Sequence, residues 1–252
     1  MVSIGILGVR GRMGQAVAQA VEEAGATIAG GVDRDGYFVG DHQDASALAE
    51  ACDVLVDFSA PDALIDHLDA AVKAGTPIVI GTTGITHDHH DAIDDAAERV
   101  AVVQAFNMSL GVNVLAALVE QAARRLGPDW DIEIVEMHHR HKLDTPSGTA
   151  LLLGAAANVG RGATGADELN RYDRMQDGPH PRAQGGIYYA SLRGGSVSGD
   201  HNVIFATEGE RIELGHRAEE RSIFARGAVR AAQWLADKGP GRYTMTDVLG
   251  FE

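Results

Sequence analysis

The densest run of reactive side chains in this 252-residue chain is Glu136-Met137-His138-His139-Arg140-His141-Lys142-Leu143-Asp144-Thr145-Pro146-Ser147-Gly148-Thr149-Ala150. Every position from His138 to Lys142 is cationic or titratable near neutral pH. In a chain with a formal charge of -15, that makes a local positive pocket suited to a substrate with carboxylates. Pro146 to Thr149 then read as a helix start, whose N–H groups and hydroxyls offer a second anion site. Three histidines could also supply metal ligands. In an extended segment, however, His138 faces opposite to His139 and His141, and Arg140 and Lys142 repel a cation, so the run reads as acid/base and anion-binding groups with no metal.

A second constellation stands at the N-terminus, where Gly8-Val9-Arg10-Gly11-Arg12-Met13-Gly14 follows an apolar run and opens an amphipathic stretch. Glycines in a strand-to-helix turn let the backbone approach a pyrophosphate, and the helix N-terminus presents N–H groups and a positive dipole end. The spacing G-x-x-G-x-x-G is one residue longer at the front than the usual dinucleotide fingerprint. Asp33 follows at the end of the next apolar run, where an acidic side chain hydrogen-bonds ribose hydroxyls and favours NADH. Its neighbour Arg34 could pair with a 2′-phosphate, which keeps NADPH open. Gly81-Thr82-Thr83 and Ala105-Phe106-Asn107-Met108 end two further apolar runs, and such loops border a nicotinamide in an open α/β sheet.

These groups need elements to hold them. Short apolar runs at 2–8, 27–33, 52–58, 76–81 and 101–106 alternate with helical patterns, which predicts a doubly wound parallel sheet. From about Ser109 the pattern changes to a helix at 112–126, a strand at 131–137, a helix after Pro146, and strands near 186–193, 203–207 and 211–216. Consecutive strands without long helices between them predict a mixed or antiparallel sheet in a second, α+β domain. Residues 158–185 are rich in Gly, Asp, Arg and Pro and read as a long exposed loop or lid. A last helical pattern covers 223–236, and periodicity does not assign it to either domain.

Composition narrows the partners. A pI near 5.0 argues against nucleic acid or anionic membranes, and no apolar stretch is long enough to span a bilayer. With no leader-like start, a cytoplasmic location is expected. The single cysteine, Cys52, excludes an internal disulfide framework and reads as a small buried hydrophobe. Three lysines against eighteen arginines, with the acidic excess, suit either adaptation to high salt or a GC-rich genome.

The start G-x-x-G-R-M-G, the G-T-T loop, N-M-S-L-G-V-N at 107–113, and E-x-H-H-R-H-K-x-D-x-P-S-G-T-A together resemble the 4-hydroxy-tetrahydrodipicolinate reductase (dihydrodipicolinate reductase) family. The likeness runs through the whole chain, including A-V-R-A-A-Q-W-L and D-V-L near its end. It implies a Rossmann-type nucleotide domain at 1–108 completed by 221–252, and a substrate-binding and oligomerisation domain at 109–220 that builds a homotetramer. It implies reduction of a cyclic imine dicarboxylate by NADH or NADPH with loss of water, on the diaminopimelate route to lysine. By matched position, His138 is the expected general acid and Lys142 its partner, while His139, Gly148 and Thr149 are expected to bind substrate carboxylates. The expected cofactor contacts are Gly8 to Met13, Asp33, Arg34, Gly81 to Thr83 and Ala105 to Met108. Arg10 and Met108 depart from the family's usual pattern.

Overall fold

The computed structural model describes residues 1–172 and 178–251. The chain divides into two compact units, Met1–Leu110 with Ser222–Glu252, and Gly111–Arg221.

The first unit opens as β1 (Ser3–Leu7), α1 (Arg12–Glu23), β2 (Thr27–Val32), β3 (Phe38–Val39), α2 (Ala45–Ala51), β4 (Val54–Asp57), α3 (Pro61–Ala74), β5 (Ile78–Ile80), α4 (His87–Ala97) and β6 (Ala101–Gln104). Its strands carry apolar residues at nearly every position because both faces are covered. Period-two alternation then divides them: Val54, Val56, Val79 and Val103 join one buried cluster, while Leu55, Ile78, Ile80 and Val102 join another. Helix α3 shows local signals in agreement with its fold. Pro61 stands in its first turn beside Asp62, and Gly75 ends it at φ 73°, a left-handed conformation suited to glycine.

The second unit contains α5 (Leu110–Leu126), β7 (Asp131–His138), α6 (Gly148–Gly160), β8 (Asn170–Arg171), β9 (Ile187–Arg193), β10 (Gly199–Thr207) and β11 (Glu210–Ala218). The sheet order is β11-β10-β7-β9-β8, with β10 antiparallel to both neighbours and β7 parallel to β9. On one face Ile132, Ile134, Ile187, Val203 and Phe205 are fully buried with Leu115 and Val119 of α5 and Leu153 of α6. The same face continues along β7 past Ile134 to Glu136 and His138. Alternation that builds a core at one end of the sheet therefore delivers polar groups, inward, at the other.

The chain then returns to the first unit as α7 (Ser222–Leu235), β12 (Gly241–Tyr243) and α8 (Met245–Leu249). Helix α7 packs beside α1, and Ala225, Ala228, Val229 and Ala232 fill the first apolar cluster. The completed sheet has the order β12-β6-β5-β4-β1-β2-β3. It is parallel except at one edge, where β3 runs antiparallel to β2. The expected loop at 158–185 is corrected on its described part: Asn158 is buried in α6 and Asn170–Arg171 forms β8, while 173–177 lie outside the described residues. Asn158 holds this segment by accepting from the Leu169 backbone N–H at 2.8 Å and donating to Asn170 Oδ1 at 3.0 Å.

Candidate functional site

At the glycine turn the backbone is packed too closely for side chains. Gly8 has φ 83°, and a Cβ there would lie 2.7 Å from the Phe58 carbonyl oxygen; one on Gly14 would lie 2.2 Å from that of Gly8. Helix α1 starts with Gly11 at its N-cap, with no side chain capping it and no acidic residue in its first turn. Its positive end is thus left for an anion from outside. Asp33 braces the turn, with Oδ2 accepting from the Arg10 backbone N–H at 2.8 Å and Oδ1 from that of Arg34 at 2.9 Å. The Arg10 guanidinium lies over the Tyr37 ring, 4.7 Å from its centroid. A cleft of about 970 Å³ runs past Gly8, Gly11, Asp33 and Arg34 to Ser59 and His67. The tight glycines, the uncapped helix and the size of the cleft fit a dinucleotide.

The two loops expected beside it differ. A Cβ on Gly81 would lie 2.2 Å from the Phe58 ring, and Thr83 is exposed. Thr82 is buried and donates to Asp57 Oδ1 at 2.8 Å. Fully buried Asp57 also accepts from Ser59 Oγ at 2.6 Å and the Ser59 N–H at 2.8 Å, and pairs with His67 Nδ1 at 2.7 Å. Burial works to raise the Asp57 pKa, but the bonds from His67 and Ser59 outweigh it and hold the carboxyl below its ordinary range. In the second loop Phe106 is 65% exposed, Asn107 Oδ1 accepts from the Ser109 N–H at 2.9 Å, and Met108 is packed into the core. Cys52 is half-buried, and burial pushes its thiol up to about 11, which makes it inert at neutral pH.

The histidine motif of the second unit begins at the end of β7. Glu136, only 1% exposed, accepts from His138 Nδ1 at 2.6 Å and from the Ser147 N–H at 3.2 Å. Arg193, at the end of β9, donates to its two oxygens at 2.8 Å each. Such a two-pronged pair satisfies the buried charge; removing one partner would cost about 3–5 kcal/mol. His201 on β10 lies opposite Glu136, its ring edge-on to His138 at 5.1 Å, and its Nε2 meets Ser147 Oγ at 2.9 Å. A Cβ on Gly199 would lie 2.9 Å from His138 Nε2, so glycine there leaves that nitrogen room. Lys142 Nζ pairs with Asp144 Oδ2 at 2.8 Å.

The charges shift one another. Glu136 is pushed up by burial, yet its bonds to Arg193, Ser191 and His138 bring it below the ordinary carboxylate range. Burial lowers His138; Glu136 counteracts this, while Lys142 and Arg193 reinforce it. His201 is driven down to about 4, chiefly by burial and then by His138. It is therefore neutral at physiological pH. Beyond the strand, Ser147 caps α6 by accepting from the Ala150 N–H at 3.2 Å, and no acidic residue occupies the first turn. Gly148 begins this helix with open space where a Cβ would stand. Half-buried Thr149 follows it, so a carboxylate can approach the positive end of α6.

The structure brings His138, Lys142 and the start of α6 into one neighbourhood through Glu136, Ser147 and Asp144. Half-buried His139 directly follows β7 and exposed His141 lies on the next turn, with ring centroids 6.4 Å apart. Among the described residues no three His, Cys, Asp or Glu side chains stand at metal-binding spacing. Glu136, Arg193, His201 and the Asp57–His67 pair were absent from the sequence-derived site. Of these, only Glu136 had a signal, since Glu and His two apart on a strand share a face.

Comparison with known proteins identifies the family over nearly the whole chain. The family model described as dihydrodipicolinate reductase, N-terminus, matches residues 2–108, and its C-terminus counterpart matches 111–249. The chain is 57% identical over 251 residues to the 4-hydroxy-tetrahydrodipicolinate reductase of Zymomonas mobilis, covering 99% of this chain and 97% of that protein. It is 49% identical to the enzyme of the same name from Parvibaculum lavamentivorans, with 100% and 98% covered. The dipicolinate-bound dihydrodipicolinate reductase of Paenisporosarcina sp. TG-14 shares the fold at a TM-score of 0.80, with 22% identity and 98% of each chain covered.

Proposed function

The chain belongs to the dihydrodipicolinate reductase family, and we propose that His138 and Lys142 carry the acid chemistry of its reaction. That reaction is the NADH- or NADPH-dependent reduction of 4-hydroxy-tetrahydrodipicolinate to tetrahydrodipicolinate with loss of water, on the diaminopimelate route to lysine. The observation that carries the reading is buried His138, paired through Nδ1, with glycine opposite Nε2 and a helix start beside it.

The glycine turn would hold a dihydronicotinamide dinucleotide, whose chemistry when bound is to supply a hydride. Hydride addition to a conjugated imine builds negative charge on the substrate, and His138 quenches it by giving up the Nε2 proton. An approaching dianion raises the imidazole's proton affinity, offsetting the depression that burial and the neighbouring cations impose. Lys142 exchanges Asp144 for a substrate carboxylate and stabilises the developing charge. His139 and the Gly148-Thr149 start of α6 hold carboxylates in this reading; that the substrate is a dicarboxylate is supported by the dipicolinate bound to the Paenisporosarcina enzyme.

Gly8 to Met13 wrap the pyrophosphate in this reading, and the loops Gly81 to Thr83 and Ala105 to Met108 border the nicotinamide. Asp33 and Arg34 meet the adenosine ribose. Because the Asp33 oxygens are already braced by backbone N–H groups and exposed Arg34 stands beside them, both NADH and NADPH are accepted. The sheet face carrying Val135, Met137, Ala190, Leu192 and Ile204 lies opposite the helices and is at best half-buried. It is the face on which the subunits of a homotetramer would meet. No described helix is long and apolar enough to cross a membrane.

The test is a coupled assay that supplies the condensation product of pyruvate and aspartate semialdehyde and follows NADH and NADPH oxidation separately. Oxidation of both is expected. Failure with both, in folded protein, would overturn the assignment.

A further inference from the structure

We propose that Glu136 is the positioning residue of the proton donor, holding the His138 ring so that Nδ1 keeps its hydrogen and Nε2 alone exchanges a proton with the substrate. The inference rests on the role given above to His138 and adds what makes that role possible.

An ionised carboxylate only accepts hydrogen bonds. Glu136 stays ionised because Arg193 grips both oxygens, and its contact with His138 Nδ1 at 2.6 Å therefore requires hydrogen on the imidazole nitrogen. The other nitrogen, Nε2, faces the gap that Gly199 preserves. Strand geometry enforces this arrangement. Glu136 and His138 share one face of β7, and Arg193 is the register partner of His138 on β9. The Ser147 N–H adds a third anchor at 3.2 Å, so the carboxylate that orients the ring also fixes the entry to α6, where substrate carboxylates bind in the proposed reading.

The groups around the ring set the direction of the pH effect. Glu136 favours the imidazolium; Lys142 on the following turn and Arg193 on β9 oppose it. Asp144 is paired with Lys142, His201 on β10 is neutral, and His216 on β11 lies across from His201. Removing the Glu136 charge while keeping its shape must therefore move the His138 titration to lower pH.

The experiment combines histidine ¹⁵N spectra with pH profiles of turnover. In the wild-type protein, neutral His138, assigned by its disappearance in His138→Gln, is expected as the Nδ1–H tautomer. A neutral Nε2–H ring would overturn the proposal without any Glu136 variant having to fold. In Glu136→Gln, kcat is expected to fall about 10- to 100-fold with KM within about threefold. The alkaline limb of kcat/KM should move down by about one pH unit. A fall in kcat with that limb unmoved would make Glu136 merely structural. If His138→Gln itself keeps wild-type turnover, the proton-donor reading fails; if it is inactive while the Glu136→Gln profile is unmoved, only the positioning role fails.

Discussion

Each unit buries a carboxylate at the end of a strand and joins it to a histidine Nδ1, yet the two pairs sit in opposite surroundings. Asp57 meets His67 at 2.7 Å, and its remaining bonds come from neutral donors, Ser59 and Thr82. Glu136 meets His138 at 2.6 Å, but Arg193 grips it and Lys142 stands near the ring. The first arrangement ties together the ends of β4 and β5 with α3, the elements that shape the proposed cofactor loops. The second, in the proposed reading, surrounds a proton donor with cations that attract a dianion. On this proposal the same dyad is a fastener where its neighbours are neutral, and an acid where they are charged.

The largest expected effect lies at the charged pair. His138→Gln and Lys142→Ala should each lower kcat about 100-fold or more with NADPH affinity unchanged, measured by steady-state kinetics and cofactor titration. His67→Gln should do the reverse, raising the KM for cofactor while kcat at saturation stays within about threefold.

Acid should separate the two units next. Folded His201 titrates near 4 against an ordinary 6.5, so as pH falls the unfolded chain takes up this proton first. Its contribution is whole above about 6.5 and is lost toward 4, at about 1.4 kcal/mol per pH unit inside that window. The depressed Asp57 contributes stability above its unfolded value of 3.8, lost only as pH falls further through the folded pKa. Trp130 belongs to the second unit and Trp234 to the first, so fluorescence of Trp234→Phe and Trp130→Phe variants reports each separately. Denaturation between pH 7 and 4.5 should weaken the Trp130 transition first.

Smaller effects concern the fastener and the cofactor's far end. Asp57→Asn should cost about 1–3 kcal/mol in denaturant unfolding, because Ser59, Thr82 and His67 lose a charged acceptor. Arg34→Ala should raise the KM for NADPH about fivefold more than that for NADH, the scale of one charge-assisted bond at an exposed site. Equal effects would place the 2′-phosphate elsewhere.

The contrast was only partly legible in the sequence. The glycine turn and the first sheet were readable because strand, turn and helix signals there are contiguous and local. Strands β3 and β12, two and three residues long, are too short to show a period. Glu136-x-His138 was readable as a shared strand face, but Arg193 lies 57 residues from Glu136 and meets it only through the β7–β9 register. His201 likewise comes from 54 residues beyond Ser147. Met108 shows the converse limit: an apolar residue after a strand reads equally as a loop contact or a core residue, and its packing in the cluster that α7 completes has no local signal.

The separation of holding from proton transfer is tested most directly by setting His138→Gln beside His67→Gln in one assay, with kcat and the NADPH dissociation constant measured for each. The account predicts that His138→Gln loses turnover about 100-fold and keeps its affinity, while His67→Gln loses affinity and keeps turnover. It would be contradicted if both variants lost the same quantity, or if His138→Gln turned over at the wild-type rate.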